Sequence, residues 1–187
     1  MRIDEDAAVL PDLLREGLQV VFVGINPPVF TAMPTHYFAR PNNRFWGALS
    51  RSKLSRRARE ALGVTALTPE HDRALLEHGF GFTDFVKRPT SNTALLSSEK
   101  LDVKIAELAA KLERHRPQIA CFHGIIGYRR VHFRIARDQP DPRPGLQKAR
   151  LGRTRLFLVP NTSASNSHVT LAQQTEWYDR LADALET

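Results

Sequence analysis

Two stretches of the chain carry side chains whose types and spacing could do chemistry. In the first, Asn26 is followed by Pro27 and Pro28. Successive prolines stiffen a turn, remove two backbone donors and hold the preceding residue extended. An amide presented so rigidly can accept a hydrogen bond from a water and orient it; the plainer alternative is that Asn26 only satisfies a turn. In the second stretch, HYFARPNNRFW at 36–46, aromatic and amide side chains alternate. Aromatic faces suit nucleobase stacking, worth about 1–3 kcal/mol per base, and amides such as Asn43 can read a base edge. Phe45 and Trp46, adjacent at a predicted helix start, are assigned to core packing.

The elements that must position these side chains are readable from the hydrophobic pattern. LQVVFVG at 18–24 is a compact apolar, β-branched run closed by Gly, the pattern of a buried strand. IACFHG at 119–124 repeats that design, and RLFLVP at 155–160 is a third such run, stopped by a proline. Between the first two, Leu101, Ile105, Leu108 and Leu112 recur at helical spacing within 99–115. A further helix is predicted from Thr170, where TLAQ has the form of a capping box, through Trp177, Leu181 and Leu185. Strands alternating with helices predict an α/β fold: a three-layer α/β/α sandwich around a central, mainly parallel sheet. In such sheets ligands gather beyond the carboxyl ends of the strands. The loops after Gly24 and after Pro160 both start there, so both are expected over one pocket. The segment 138–150 (DQPDPRPGLQKAR) reads as an exposed loop, with DNA-backbone contact as the alternative.

Composition narrows the partner. With 187 residues the chain suits one domain spanning 1–187. It carries 27 Lys and Arg against 20 Asp and Glu, a formal charge of +7. A basic surplus favours a polyanion such as nucleic acid, although a generic basic surface gives the same count. The single Cys121 excludes an internal disulfide and any four-cysteine zinc or iron–sulfur site, and its apolar neighbours predict burial. No apolar stretch is long enough to cross a membrane and none has the form of a signal peptide; with a lone cysteine that fits a reducing cytosol, a cytoplasmic protein is expected, and a monomer.

GINPP followed by FARPNNRFW resembles the mismatch-specific uracil-DNA glycosylase and thymine-DNA glycosylase family, whose signature is Gly-Ile-Asn-Pro-Gly and then Pro-x-Asn-Arg/His-Phe-Trp. GFTDFVKRPT at 81–90 is similar to the family's Gly-(Val/Phe)-Thr-x-(Leu/Met)-Val-x-Arg-(Pro/Thr)-Thr segment. VPNTSAS at 159–165 is similar to its second motif, where a loop enters DNA. Placed on the resemblance, Asn26 matches the water-positioning Asn and Phe38 the base-stacking aromatic. Ile25 falls where backbone lines the uracil pocket. Pro28 departs from the usual Gly and lacks its amide donor.

The resemblance implies a glycosylase that hydrolyses the N-glycosidic bond of uracil in DNA by attack of a water and leaves an abasic site. Uracil-containing DNA is the implied partner, beside a bacterial nucleoid, with no metal and no cofactor. Asp84, where the family carries Lys, Asn or Asp, would act as general base or stabilise the sugar cation. Otherwise it pairs with Lys87 or Arg88, or caps a turn. Asn161 would hydrogen-bond uracil or steady its loop. Ser163, Ala164, Ser165 and Asn166 would meet DNA, and His168 would contact phosphate or start a helix. Ser165 stands where the family carries a larger wedge such as Leu or Arg, which implies weak dependence on the opposing base and activity on single strands. Thymine needs room for its methyl beside Thr31, His36 and Tyr37, and Tyr37 is bulky. Two other classes stay open. One is a catalytically silent uracil- or DNA-binding protein on the same scaffold. The other is a small-molecule nucleotide hydrolase, for which no Gly-rich phosphate loop is present.

Overall fold

The computed structural model describes residues 10–24, 36–85, 87, 98–136 and 140–187. Five strands form one sheet in the order β2-β1-β3-β5-β4, with β1 Val20–Gly24, β2 Phe80–Asp84, β3 Ile119–His123, β4 Gly145–Leu151 and β5 Thr154–Val159. β2, β1, β3 and β5 run parallel, while β4 closes one edge antiparallel to β5. The helices are α1 Arg44–Arg51, α2 Arg56–Leu62, α3 Ser98–His115, α4 Ile125–Ile135 and α5 Leu171–Leu185.

Strand side chains alternate between faces, so each buried strand feeds two cores. Val20 and Phe22 of β1, Ile119 and Cys121 of β3, and Phe157 and Val159 of β5 face one core with Phe45 and Leu49 of α1 and Tyr178 and Leu181 of α5. Val21, Val23, Ala120, Phe122, Leu156 and Leu158 face the other, with Leu101, Leu108 and Leu112 of α3 and Tyr128 and Val131 of α4. This is the expected α/β/α sandwich, and each buried strand is a continuous apolar run because both its faces are covered. Cys121 is fully buried, as its neighbours predict.

The segment 138–150 is not the continuous loop its prolines suggest. Residues 145–151 form β4, where Ala149 and Leu151 face the core and Lys148 and Arg150 face solvent. A partner strand supplies the ladder that this polar sequence would not hold alone. β2 is likewise an unforeseen strand, covered at its outer edge by an antiparallel bridge between Leu13 and Phe82.

Candidate active site

The sheet reverses its winding between β1 and β3: the chain leaves β1 for β2 on one side and β3 for β5 on the other. A crevice at the carboxyl ends of such a strand pair is the preferred ligand site of an open parallel sheet. Gly24, Asp84, His123 and Val159 end the four parallel strands, with Gly24 in register with Asp84 and His123 with Val159.

Asp84 is 7% exposed. Gly24 makes room for it, because a Cβ at Gly24 would collide with Asp84 Oδ1. Burial pushes the Asp84 carboxyl up to about 6; the charge of Asp12 adds to that rise, while Lys87 and Lys111 oppose it. A carboxylate poised this close to neutrality is suited to taking a proton. The ion pair with Lys87 allowed by the sequence does not form: the Lys87 ammonium pairs with Asp12 instead and donates to Leu10 O (3.0 Å) and Tyr37 Oη (2.8 Å). Nor is Asp84 a cap for the next amide, since Phe85 N donates to Gly24 O (2.8 Å). Arg88 lies outside the described residues, as do Ile25, Asn26, Pro28 and Thr31.

Phe38 sits at the margin of the first core, half-buried. Its ring stacks on Phe45 at 4.1 Å and 7°, and meets His123 at 4.8 Å. Its φ of +52° is a left-handed conformation that costs a bulky residue about 1–3 kcal/mol. The neighbouring contacts hold it there. Asp72, almost fully buried, accepts from Tyr37 N (3.0 Å) and contacts His36 Nδ1 (3.1 Å), while Trp46 Nε1 donates to Tyr37 O (2.9 Å). Tyr37 itself turns inward, stacked on Phe82 with its hydroxyl donating to Pro11 O (3.0 Å). Its bulk therefore fills the core, where the sequence alone suggested crowding of a thymine methyl.

Asn43 caps α1, its Oδ1 accepting from Phe45 N at 2.9 Å, so its oxygen is engaged locally. The following residue, Arg44, joins the two motif segments. Its backbone N donates to Thr162 O (2.9 Å), and its Nη2 donates to Ser163 O (2.8 Å) and to Asn166 O. The loop after β5 is also braced internally. Asn161 Oδ1 accepts from Ser163 N (2.9 Å), Asn166 Nδ2 donates to Asn161 O (2.9 Å), and the hydroxyls of Ser163 and Ser165 lie 2.9 Å apart. Of the two roles open to Asn161, steadying the loop is the one its side chain performs here. It also lies against Gly124, whose φ is +102° and whose missing Cβ would sit 3.4 Å from Asn161 Cβ. Ala164, Ser165 and His168 are exposed. The start of α5 belongs to Thr170, which exchanges hydrogen bonds with Gln173, not to His168.

His123 was invisible as a site residue in the sequence, although a polar residue just before the glycine that ends a buried strand was the available signal. Its Nδ1 faces Val23 O at 3.4 Å and its Nε2 meets Tyr178 Oη at 3.1 Å. Burial lowers its pKa to about 4, against the hydrogen bond to Val23, so it is a neutral imidazole packed beside the Phe38 ring. Among the described residues, no group of three or more His, Cys, Asp or Glu is placed to hold a metal ion, and no helix is long and apolar enough to cross a membrane.

Comparison with known proteins adds three findings. The family model of the uracil DNA glycosylase superfamily matches residues 11–185. The G/U mismatch-specific uracil DNA glycosylase of Schizosaccharomyces pombe is 30% identical over 157 residues, which cover 82% of this chain. The match spans 46% of that relative, about half its length. A solution NMR structure of a candidate uracil DNA glycosylase from Methanosarcina acetivorans shares the fold. Its TM-score is 0.59 at 18% identity, over 97% of this chain and 99% of that one.

Proposed function

Because the chain belongs to the uracil DNA glycosylase superfamily, we propose that it hydrolyses the N-glycosidic bond of uracil in DNA, in single strands and in duplexes including G·U. The observation that carries this reading is the buried carboxylate of Asp84, in register with the glycine that leads into the Asn26 loop. In the reaction, the bond between the sugar C1′ and uracil N1 breaks and its electron pair leaves with the base. The sugar passes through an oxocarbenium-like state, and a water oxygen bonds C1′. Asn26 orients that water, Asp84 takes its proton, and Phe38 stacks on the base turned out of the helix. The products are an abasic site and the uracil anion, which takes its proton from solvent as Asp84 gives its own back to solvent.

Ile25 and Asn43 line the base pocket in this reading, and Asn161 turns toward uracil when substrate enters. Ser163, Ala164, Ser165, Asn166 and His168 face the DNA. Ser165, small and polar where the family carries a larger wedge, plugs the vacated helix poorly, which lowers the demand for a particular opposing base.

The test is single-turnover excision from uracil-containing oligonucleotides, read by alkaline cleavage at abasic sites. Asn26→Ala and Asp84→Ala should each slow excision about 100-fold or more without unfolding the protein. Wild-type rates in Asp84→Ala would remove it from the mechanism. A strict requirement for a G·U duplex would refute the strand preference, and no cleavage of any uracil substrate would leave a silent DNA-binding protein.

A further inference from the structure

Lys87 follows the end of β2 by three residues, at a variable position of the 81–90 motif, and its three donors are all engaged. It pairs with Asp12 and donates to Leu10 O and Tyr37 Oη. The other oxygen of Asp12 pairs with Lys111 of α3 at 2.8 Å, and Thr83 Oγ1 donates to Asp12 Oδ1 at 2.6 Å. Against the rise that burial causes, the bonds from Lys111, Lys87 and Thr83 hold Asp12 below its ordinary range, so it is an anion.

The chain neighbours of this cluster are the residues on which the proposed reaction depends. Thr83 precedes Asp84, and Tyr37 precedes Phe38. Two ammonium groups around one carboxylate leave a net positive charge beside the β2 terminus. The charged groups that act on Asp84 come from each packed segment: Asp12 from the N-terminal segment, Lys87 from its own loop, Lys111 from α3. The Asp84 charge also reaches Tyr37, whose phenol is kept protonated by burial first and by that charge second. From β1 the backbone of Gly24 lies against the carboxyl.

We propose that the Asp12–Lys87–Lys111 cluster is a charge-setting device, whose net positive charge beside the end of β2 partly offsets the cost of burying the Asp84 anion. The inference rests on the reading of Asp84 as the base. A merely structural staple would hold the N-terminal segment to β2 and leave the proton equilibrium of Asp84 unchanged. A charge-setting cluster has a signature that no staple shares: removing its cations and removing its anion move Asp84 in opposite directions.

The experiment compares wild type, Lys87→Met, Lys111→Met and Asp12→Asn. It uses single-turnover excision from pH 5 to 9 and NMR titration of the ¹³C-labelled Asp84 carboxyl, with urea unfolding to verify folding. Each lysine variant should raise the acidic midpoint by roughly half to one pH unit, and Asp12→Asn should lower it by a similar amount. Midpoints that stay fixed, or that all move the same way, overturn the proposal. If Lys87→Met does not fold, the opposite signs of Lys111→Met and Asp12→Asn carry the decision. Failure of the underlying reading looks different: Asp84→Asn excises at the wild-type rate. The carboxyl titration then decides the charge-setting claim by itself.

Discussion

Asp84 lets a catalytic reading be tested by a stability measurement. Its carboxyl is pushed from the ordinary 3.8 to about 6, chiefly by burial. Between those values the folded protein binds the proton more tightly than the unfolded chain. The group is therefore least costly to fold in acid, and stability falls as pH rises from below 3.8 to above 6. The gap of about 2 units corresponds to roughly 3 kcal/mol once the carboxylate is ionised in both states. Asp84→Asn has almost the same shape and no charge, so it should be more stable than wild type by up to about 3 kcal/mol at pH 8. Roughly half of that gain should remain at pH 5, and essentially none below about pH 3.5. Urea unfolding of both proteins across this range measures the difference directly. Equal stability at pH 8, or a gain independent of pH, would refute the assignment of a desolvated anion. The same variant should excise uracil poorly, so that activity and stability move in opposite directions, as they do where a site is held in a costly state.

Other perturbations follow from the same geometry. Phe38→Ala should weaken uracil-DNA binding by about 1–3 kcal/mol, seen as a rise of roughly 5- to 160-fold in the substrate concentration needed for half-maximal single-turnover rate. Arg44→Met removes two bonds from a guanidinium to loop carbonyls, and should cost about 2–3 kcal/mol in urea unfolding while weakening binding to abasic-site DNA. Asn43→Ala should cost about 1 kcal/mol as a lost helix cap; an excision defect much larger than that loss would give Asn43 a direct role toward the base. Tyr178→Phe should destabilise by about 1 kcal/mol through the orphaned His123 Nε2, measured in the same unfolding assay.

The framework was legible where burial wrote it as runs of apolar residues. β1, β3 and β5 are covered on both faces, and α5 announces itself with Thr170 and Gln173. β2 escaped that reading because Gly81, Thr83 and Asp84 interrupt its apolar character, each for a local reason. Gly81 leaves space that the backbone of Leu13 occupies, Thr83 binds Asp12, and Asp84 is presented to the crevice. β4 escaped because it is held by β5 and its solvent side is charged. In the site, resemblance singled out Phe38, Asp84 and Asn161, but not what steadies them. The links made by Arg44, His123 and Lys87 join residues 50 to 122 positions apart, and periodicity carries no information over such separations.

The bond between His123 and Tyr178 makes the last helix part of the wall behind the stacking ring, although α5 supplies no side chain to the proposed chemistry. Phe45, which backs Phe38, packs against the same tyrosine. Any change that loosens α5 at Tyr178 would therefore reach the Phe38 ring by two routes, through His123 and through Phe45.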